Sequence, residues 1–220
     1  MNKEIKLTLP HLDELINALK APGSNEKVTV SSDKDFFAKI EELQHQMDQE
    51  FIWTPLLNGP ELWKGELWRI KTKSFHENIV DYMTFDHRRC DELFALAESN
   101  WNDGDAHSAK ENLDSFDLGM RAHLSKEENY LFPEFVKSTG MTGGPIHVMM
   151  MEHNQMREML NQMSQACHAN KMDDALAIGD TLLILIQQHN MKEEGMLYPM
   201  IKKHCAHLGG ECIKFLQHHL

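Results

Sequence analysis

The stretch His123-Leu-Ser-Lys-Glu127-Glu128-Asn-Tyr-Leu131-Phe132-Pro133 is written a second time, 66 residues further on, as His189-Asn-Met-Lys-Glu193-Glu194-Gly-Met-Leu197-Tyr198-Pro199. Two more histidines repeat at the same offset, His87 and His153, each preceded by an acid, Asp86 and Glu152. A chain with 14 histidines and 34 acidic residues supplies one His-x-x-x-Glu by chance. It rarely supplies two in register with two further histidines. Residues four apart on a helix share a face, so His123 with Glu127, and His189 with Glu193, each aim two side chains at one point.

Working outward from these residues, the chain from about His76 reads as four long helices. Turn signals separate them at Asn102-Asp-Gly104-Asp, at Thr139 to Pro145 and at His168 to Asp174. Apolar residues recur at three- and four-residue steps on the faces that carry the histidines. Val80, Met83, Cys90 and Phe94 flank His87, and Ile146, Met149, Met150, Met156 and Leu160 flank His153. Phe116, Met120 and Leu131 accompany His123, and Leu182, Leu185, Ile186 and Leu197 accompany His189. Short loops between long helices imply antiparallel neighbours, hence an all-α, up-down-up-down four-helix bundle.

The heights also agree. His87 and His123 lie 18 residues either side of Asp105, and His153 and His189 lie 18 either side of Lys171, so each hairpin brings its two histidines level. Pro133 and Pro199 follow the glutamates by six residues, where a proline bends or ends a helical turn.

The first 75 residues carry no catalytic motif. Leu12–Leu19 and Asp33–Phe51 read as helices, the second opened by the capping pattern Ser32-x-x-Asp35, and Lys27–Val30 as a short extended piece. Gly23, Pro55, Gly59 and Pro60 break the remainder, while Trp53, Trp63 and Trp68 are expected to pack over the bundle or to offer a surface for a protein partner. The expected organisation is a mainly helical extension over 1–75, the bundle over 76–205 and a short C-terminal helix or tail over 206–220.

Composition sets the outer bounds. Hydrophobic residues make up 41% and charged residues 25%, the balance of a soluble globular protein. The longest apolar run, Leu182–Ile186, is far too short to cross a bilayer, and the amino terminus has no apolar stretch of signal-peptide length. A cytoplasmic protein is expected, with Cys90, Cys167, Cys205 and Cys212 as thiols. A net charge of -12 repels phosphate backbones and argues against nucleic acid as a partner.

A lone buried histidine is more often a hydrogen-bonded core residue than a ligand, and two buried glutamates can pair with histidines without a metal. Six such groups at one level are costly unless a cation or full pairing compensates them, and their repetition in register favours a cation pair. The candidate metal ligands are therefore His87, His123, Glu127, His153, His189 and Glu193. Two histidines and a share of two bridging carboxylates leave an open position on a six-coordinate ion, and nitrogen and oxygen donors without thiolate suit Fe, with Mn or Zn as substitutes. For Asp86, Glu152, Glu128 and Glu194 two readings stand: groups that orient the imidazoles, or solvated helix acids. The Met149–Met151 cluster reads as core filling. His204, Cys205, His207 and Cys212 fit no standard zinc spacing, and His218 and His219 read as solvated.

On the His-x-x-x-Glu-Glu-x-x-Leu-Phe-Pro of His123–Pro133, the Gly144-Pro145-Ile146-x-Val148-Met149-x-x-Glu152-His153 stretch and the helix ending Leu-Tyr-Pro, residues 76 to 205 resemble the haemerythrin-like (HHE cation-binding) domain. Within it the four-histidine, two-glutamate set is most similar to the repair-of-iron-centres proteins. Oxygen carriers of the family add a fifth histidine, but Met149 and Arg157 stand at the flanking positions here. The repair proteins commonly begin with a cysteine pair, and no cysteine precedes Cys90. The resemblance implies two non-haem irons with a bridging oxo or hydroxo group, Glu127 and Glu193 bridging, one iron on His87 and His123 and the other on His153 and His189. It further implies binding or reduction of NO, O2 or peroxide under oxidative or nitrosative stress, with support of iron-sulfur centre repair. An O2 carrier or sensor, and an iron store or donor without turnover, are the alternatives.

Overall fold

The computed structural model describes residues 5–6, 27–32, 51–58, 63–69, 79–205 and 207–208. The chain divides into two compact units, one of residues 1–77 with 213–220 and one of residues 78–212.

In the second unit the 3.6-residue periodicity becomes four long helices. They are α1 (Ile79–Asn102), α2 (Ala106–Lys126), α4 (Pro145–His168) and α5 (Met172–Lys192). Each turn has a local cause. The Asp105 carboxylate accepts the Ser108 N–H at 3.0 Å and so caps α2. Pro145 sits in the first turn of α4, where no N–H is needed. Gly140 takes the left-handed conformation (φ 71°) that lets its N–H reach the Val136 carbonyl at 2.7 Å.

The two prolines do not end their helical runs. Instead α2 runs into a π-turn, Glu127–Leu131, and then α3 (Phe132–Thr139); α5 runs into Glu193–Leu197 and then α6 (Tyr198–His204). Phe132 N–H reaches back five residues to the Glu127 carbonyl, and Tyr198 N–H to that of Glu193. Widening the turn by one residue accommodates a proline ring that would collide with the carbonyl four residues earlier, and each wide turn opens on a glutamate of the repeat.

Helix α1 packs along α2, and α4 along α5; α2 meets α4, α1 meets α5, and α3 packs against α6, which closes the bundle. The core centres on Leu93, Phe94, Phe116, Leu124, Leu160 and Leu182, with the Phe94 and Phe116 rings 5.2 Å apart. The inward stripes fall as the periodicity predicts, except that Val80, Met150 and Leu185 are half-buried, at the margin of the apolar face. Of the methionine cluster, Met149 is core, Met150 is marginal and Met151 faces solvent. Cys90, Cys167 and Cys205 are buried free thiols.

In the first unit the described residues form a four-stranded sheet within the extension expected to be mainly helical. Its strands β1 (Ile5–Lys6), β2 (Lys27–Ser32), β3 (Phe51–Asn58) and β4 (Trp63–Arg69) lie in the order β1-β2-β4-β3. β1 and β2 are parallel; β2 with β4, and β3 with β4, are antiparallel. The extended piece foreseen at Lys27–Val30 belongs to β2. Pro55, which resembles a breaker, is tolerated because β3 is an edge strand and the register shifts between Pro55 and Leu57. The helices expected at Leu12–Leu19 and over residues 33–50 lie outside the described residues, as do the side chains of Trp53, Trp63 and Trp68 and the tail from residue 209. Among the described residues no helix is long and apolar enough to cross a membrane.

Candidate metal centre

All six repeated side chains meet in the middle of the bundle. His87, His123, Glu127, His153, His189 and Glu193 are at most 4% exposed. Their donor atoms form two groups, His87–His123–Glu127–Glu193 and Glu127–His153–His189–Glu193, each with all donors within 4.8 Å of one another and sharing both glutamates. These are the only such groups of three or more among the described residues.

The geometry within each group is paired. His87 Nε2 lies 3.1 Å from His123 Nε2, and His153 Nε2 lies 3.1 Å from His189 Nε2. Every other ring nitrogen faces a carboxylate: His87 Nδ1 to Glu194 at 2.8 Å, His123 Nδ1 to Asp86 at 3.2 Å, His153 Nδ1 to Glu128 at 2.7 Å and His189 Nδ1 to Glu152 at 2.9 Å. The four acids beside the ligands therefore orient imidazoles; the solvated-acid reading falls. Each hairpin supplies Asp86 or Glu152 to its own second histidine, whereas Glu128 and Glu194 reach across to the other hairpin.

A carboxylate accepts, so each Nδ1 donates, and a neutral ring then turns an Nε2 lone pair inward. Were all four rings neutral, two lone pairs would face each other in both pairs. Glu127 Oε2 and Glu193 Oε1 are also buried and make no well-formed hydrogen bond; their nearest imidazole nitrogens, His153 Nε2 and His189 Nε2, stand 3.3 and 3.1 Å away as ion-pair partners. Such a hollow is electron-rich, and it demands positive charge. Against burial, which lowers it, the carboxylates of Glu193 and Glu194 push the His87 pKa up to about 10, and those of Glu127 and Glu128 push that of His153 up to about 9. His189 is raised by Glu193 despite its burial, whereas burial prevails at His123 and lowers it. Within the facing pair His87–His123, His87 is thus the ring that binds a proton more tightly. Glu193, though buried, is kept well below the carboxylate range by His189 and His87. The donor set of nitrogen and carboxylate oxygen, the inward lone pairs and the orphaned oxygens all fit a pair of cations.

Four groups around the hollow escaped the sequence reading. Tyr198 Oη donates to Glu127 Oε1 at 2.7 Å. Lys126 and Arg89 donate to Asp86 at 2.9 and 2.8 Å, all three side chains being buried. Arg157 grips Glu128 with two bonds, of 2.6 and 2.7 Å. The signal that could have found Tyr198 and Arg157 was the repeat itself, which puts Phe132 opposite the first and Asp91 opposite the second.

A family model described as the Hemerythrin HHE cation binding domain matches residues 78–201. Neither the curated proteins nor the solved structures give a match.

Proposed function

The chain belongs to the hemerythrin HHE cation binding domain family, and from that premise we propose that it is a non-haem di-iron protein that binds or reduces NO, O2 or peroxide under oxidative or nitrosative stress. The observation that carries this reading is the twofold set of inward Nε2 pairs around two shared carboxylates. In this reading His87 and His123 hold one ion, His153 and His189 the other, and Glu127 and Glu193 bridge. Two irons so held would supply redox chemistry and the binding of a small ligand.

The protein's own contribution is positional and electrostatic. Asp86, Glu128, Glu152 and Glu194 keep the four Nδ1–H tautomers, so every Nε2 stays available. The bundle core shields the six side chains, which are at most 4% exposed. Glu194, whose side chain is 40% exposed while it touches His87, offers a proton route between solvent and the hollow. Arg157 is committed to Glu128, so the flanking position that would carry a fifth imidazole in an oxygen carrier holds no donor for a metal. This favours ligand chemistry in stress protection, including support of iron-sulfur centre repair, over reversible O2 carriage.

Metal analysis of the purified chain tests the site. Two iron equivalents are expected, and fewer in both Glu127→Ala and His189→Ala; full retention in both variants contradicts the ligand assignment. Anaerobic NO added to the diferrous protein is expected to give an iron-nitrosyl spectrum. No spectral change at any ratio sinks the NO chemistry.

A further inference from the structure

Phe132 and Tyr198 occupy equivalent places in the two halves of the repeat and lie flat against equivalent imidazoles. Phe132 stacks on His153 with centroids 5.6 Å apart and planes 25° apart; Tyr198 stacks on His87 at 5.7 Å and 14°. The tyrosine adds one atom, a hydroxyl on a fully buried ring. Its Oη is 2.7 Å from Glu127 Oε1, 3.2 Å from Glu193 Oε2 and 3.2 Å from His87 Nε2. It therefore sits among the donor atoms of the His87–His123–Glu127–Glu193 group, while the matching place beside His153 is filled by a ring that has no oxygen.

A buried tyrosine needs one hydrogen-bond acceptor, and Glu127 Oε1 alone satisfies it. Close approach to a second carboxylate and to an imidazole nitrogen, all three belonging to one ligand group, goes beyond that need. It is the arrangement of a further donor. Resting on the di-metal reading above, we propose that Tyr198 is a fifth protein ligand, serving the His87–His123 position and not the His153–His189 position. On binding a trivalent ion the O–H bond breaks, the oxygen electron pair forms the bond to the ion, and the proton leaves to solvent; no electron is transferred. The two metal positions are then chemically distinct. One carries a hard anionic oxygen that favours the trivalent state, and the other keeps only its histidines and the shared carboxylates.

The test uses full-length metal-free protein loaded with ferric iron and, separately, with gallium(III) as a redox-inert trivalent probe, with metal content measured in each sample. The chain has three tyrosines, Tyr82, Tyr130 and Tyr198, so assignment is direct. The ferric protein is expected to show a phenolate-to-iron absorption with phenolate modes in resonance Raman, and the gallium protein a tyrosinate difference band, one per two ions. Tyr198→Phe should lose both signatures while still binding two ions, since Phe132 shows that a phenylalanine fits this place. Adding Phe132→Tyr to Tyr198→Phe should restore them on the other half. Two ions bound by the wild-type chain without a tyrosinate signature, or a signature that survives in Tyr198→Phe, overturns the proposal and leaves the di-metal reading standing. Failure to bind two ions overturns both.

Discussion

Lys126 Nζ donates to Asp86 Oδ2 at 2.9 Å in a place where the two side chains are 2% and 1% exposed. Arg89 Nε holds the other carboxylate oxygen at 2.8 Å, and the Lys126 ammonium also stands 5.1 Å over the Tyr82 ring. Although burial opposes it, Arg89 and Lys126 keep the Asp86 carboxyl well below the usual range. His123, whose Nδ1 donates to the same Oδ2, is thus backed by an acid that two buried cations already share. In the other half of the repeat the equivalent acid, Glu152, pairs with Lys192, whose side chain is 40% exposed.

That contrast has an energetic consequence. Removing one partner of a buried charge pair strands the other, and Lys126→Met should cost about 3 kcal/mol, the low end of the usual penalty because Arg89 still holds Asp86. Lys192→Met, at a half-exposed pair, should cost at most about 1 kcal/mol. Urea unfolding of the metal-free variants, followed by helical circular dichroism, reads both; equal losses would contradict the argument.

Arg157 acts on the candidate metal centre through two intermediaries. It fixes Glu128, and Glu128 fixes His153 Nδ1 at 2.7 Å. Arg157→Met should therefore lower metal affinity by about 10- to 100-fold while leaving the saturating stoichiometry at the wild-type value. Competition with a chelator separates this from Glu127→Ala, which removes a ligand and lowers the stoichiometry itself.

The metal-free protein should lose stability toward alkaline pH. His87, raised from 6.5 to about 10, and His153, raised to about 9, bind protons in the folded state that the unfolded chain has released. Their contribution is complete below pH 6.5 and disappears as pH rises through 9 to 10. Glu193 works in the opposite sense, since its depressed pKa contributes stability above the ordinary carboxylate value that is lost on acidification. Melting temperature against pH should fall above neutrality in the metal-free protein and fall less in the loaded one, where cations replace the protons. A metal-free melting temperature that climbs from pH 7 to 10 would refute this.

Gly179 lies tight against the Phe94 ring. A Cβ there would lie 2.1 Å from Phe94 Cε2, and Phe94, fully buried against Phe116, has nowhere to go. Gly179→Ala should therefore destabilise by about 1–3 kcal/mol, outweighing alanine's helix preference of about 1 kcal/mol. Gly195→Ala, where a Cβ meets nothing within 4 Å, should be neutral or stabilising. Thermal unfolding of the two variants distinguishes a packing limit from a general effect of removing glycine.

The sequence by itself determined the four helices of the bundle, the faces they bury and the convergence of His87, His123, Glu127, His153, His189 and Glu193, because helical periodicity and equal arms about Asp105 and Lys171 are local properties of the chain. It also marked Asp86, Glu128, Glu152 and Glu194 as neighbours of the ligands, but not which imidazole each one holds. Tertiary structure decided that Glu128 and Glu194 reach across between hairpins, that Pro133 and Pro199 are absorbed by π-turns, and that Lys126, Arg89 and Tyr198 enter the core. It decided the sheet of the first unit as well, where Pro55 lies on an edge strand. A helix satisfies its backbone within one segment, so its pattern is legible along the sequence. A strand and a buried charge are satisfied by partners far away in the chain, and only folding brings those partners together.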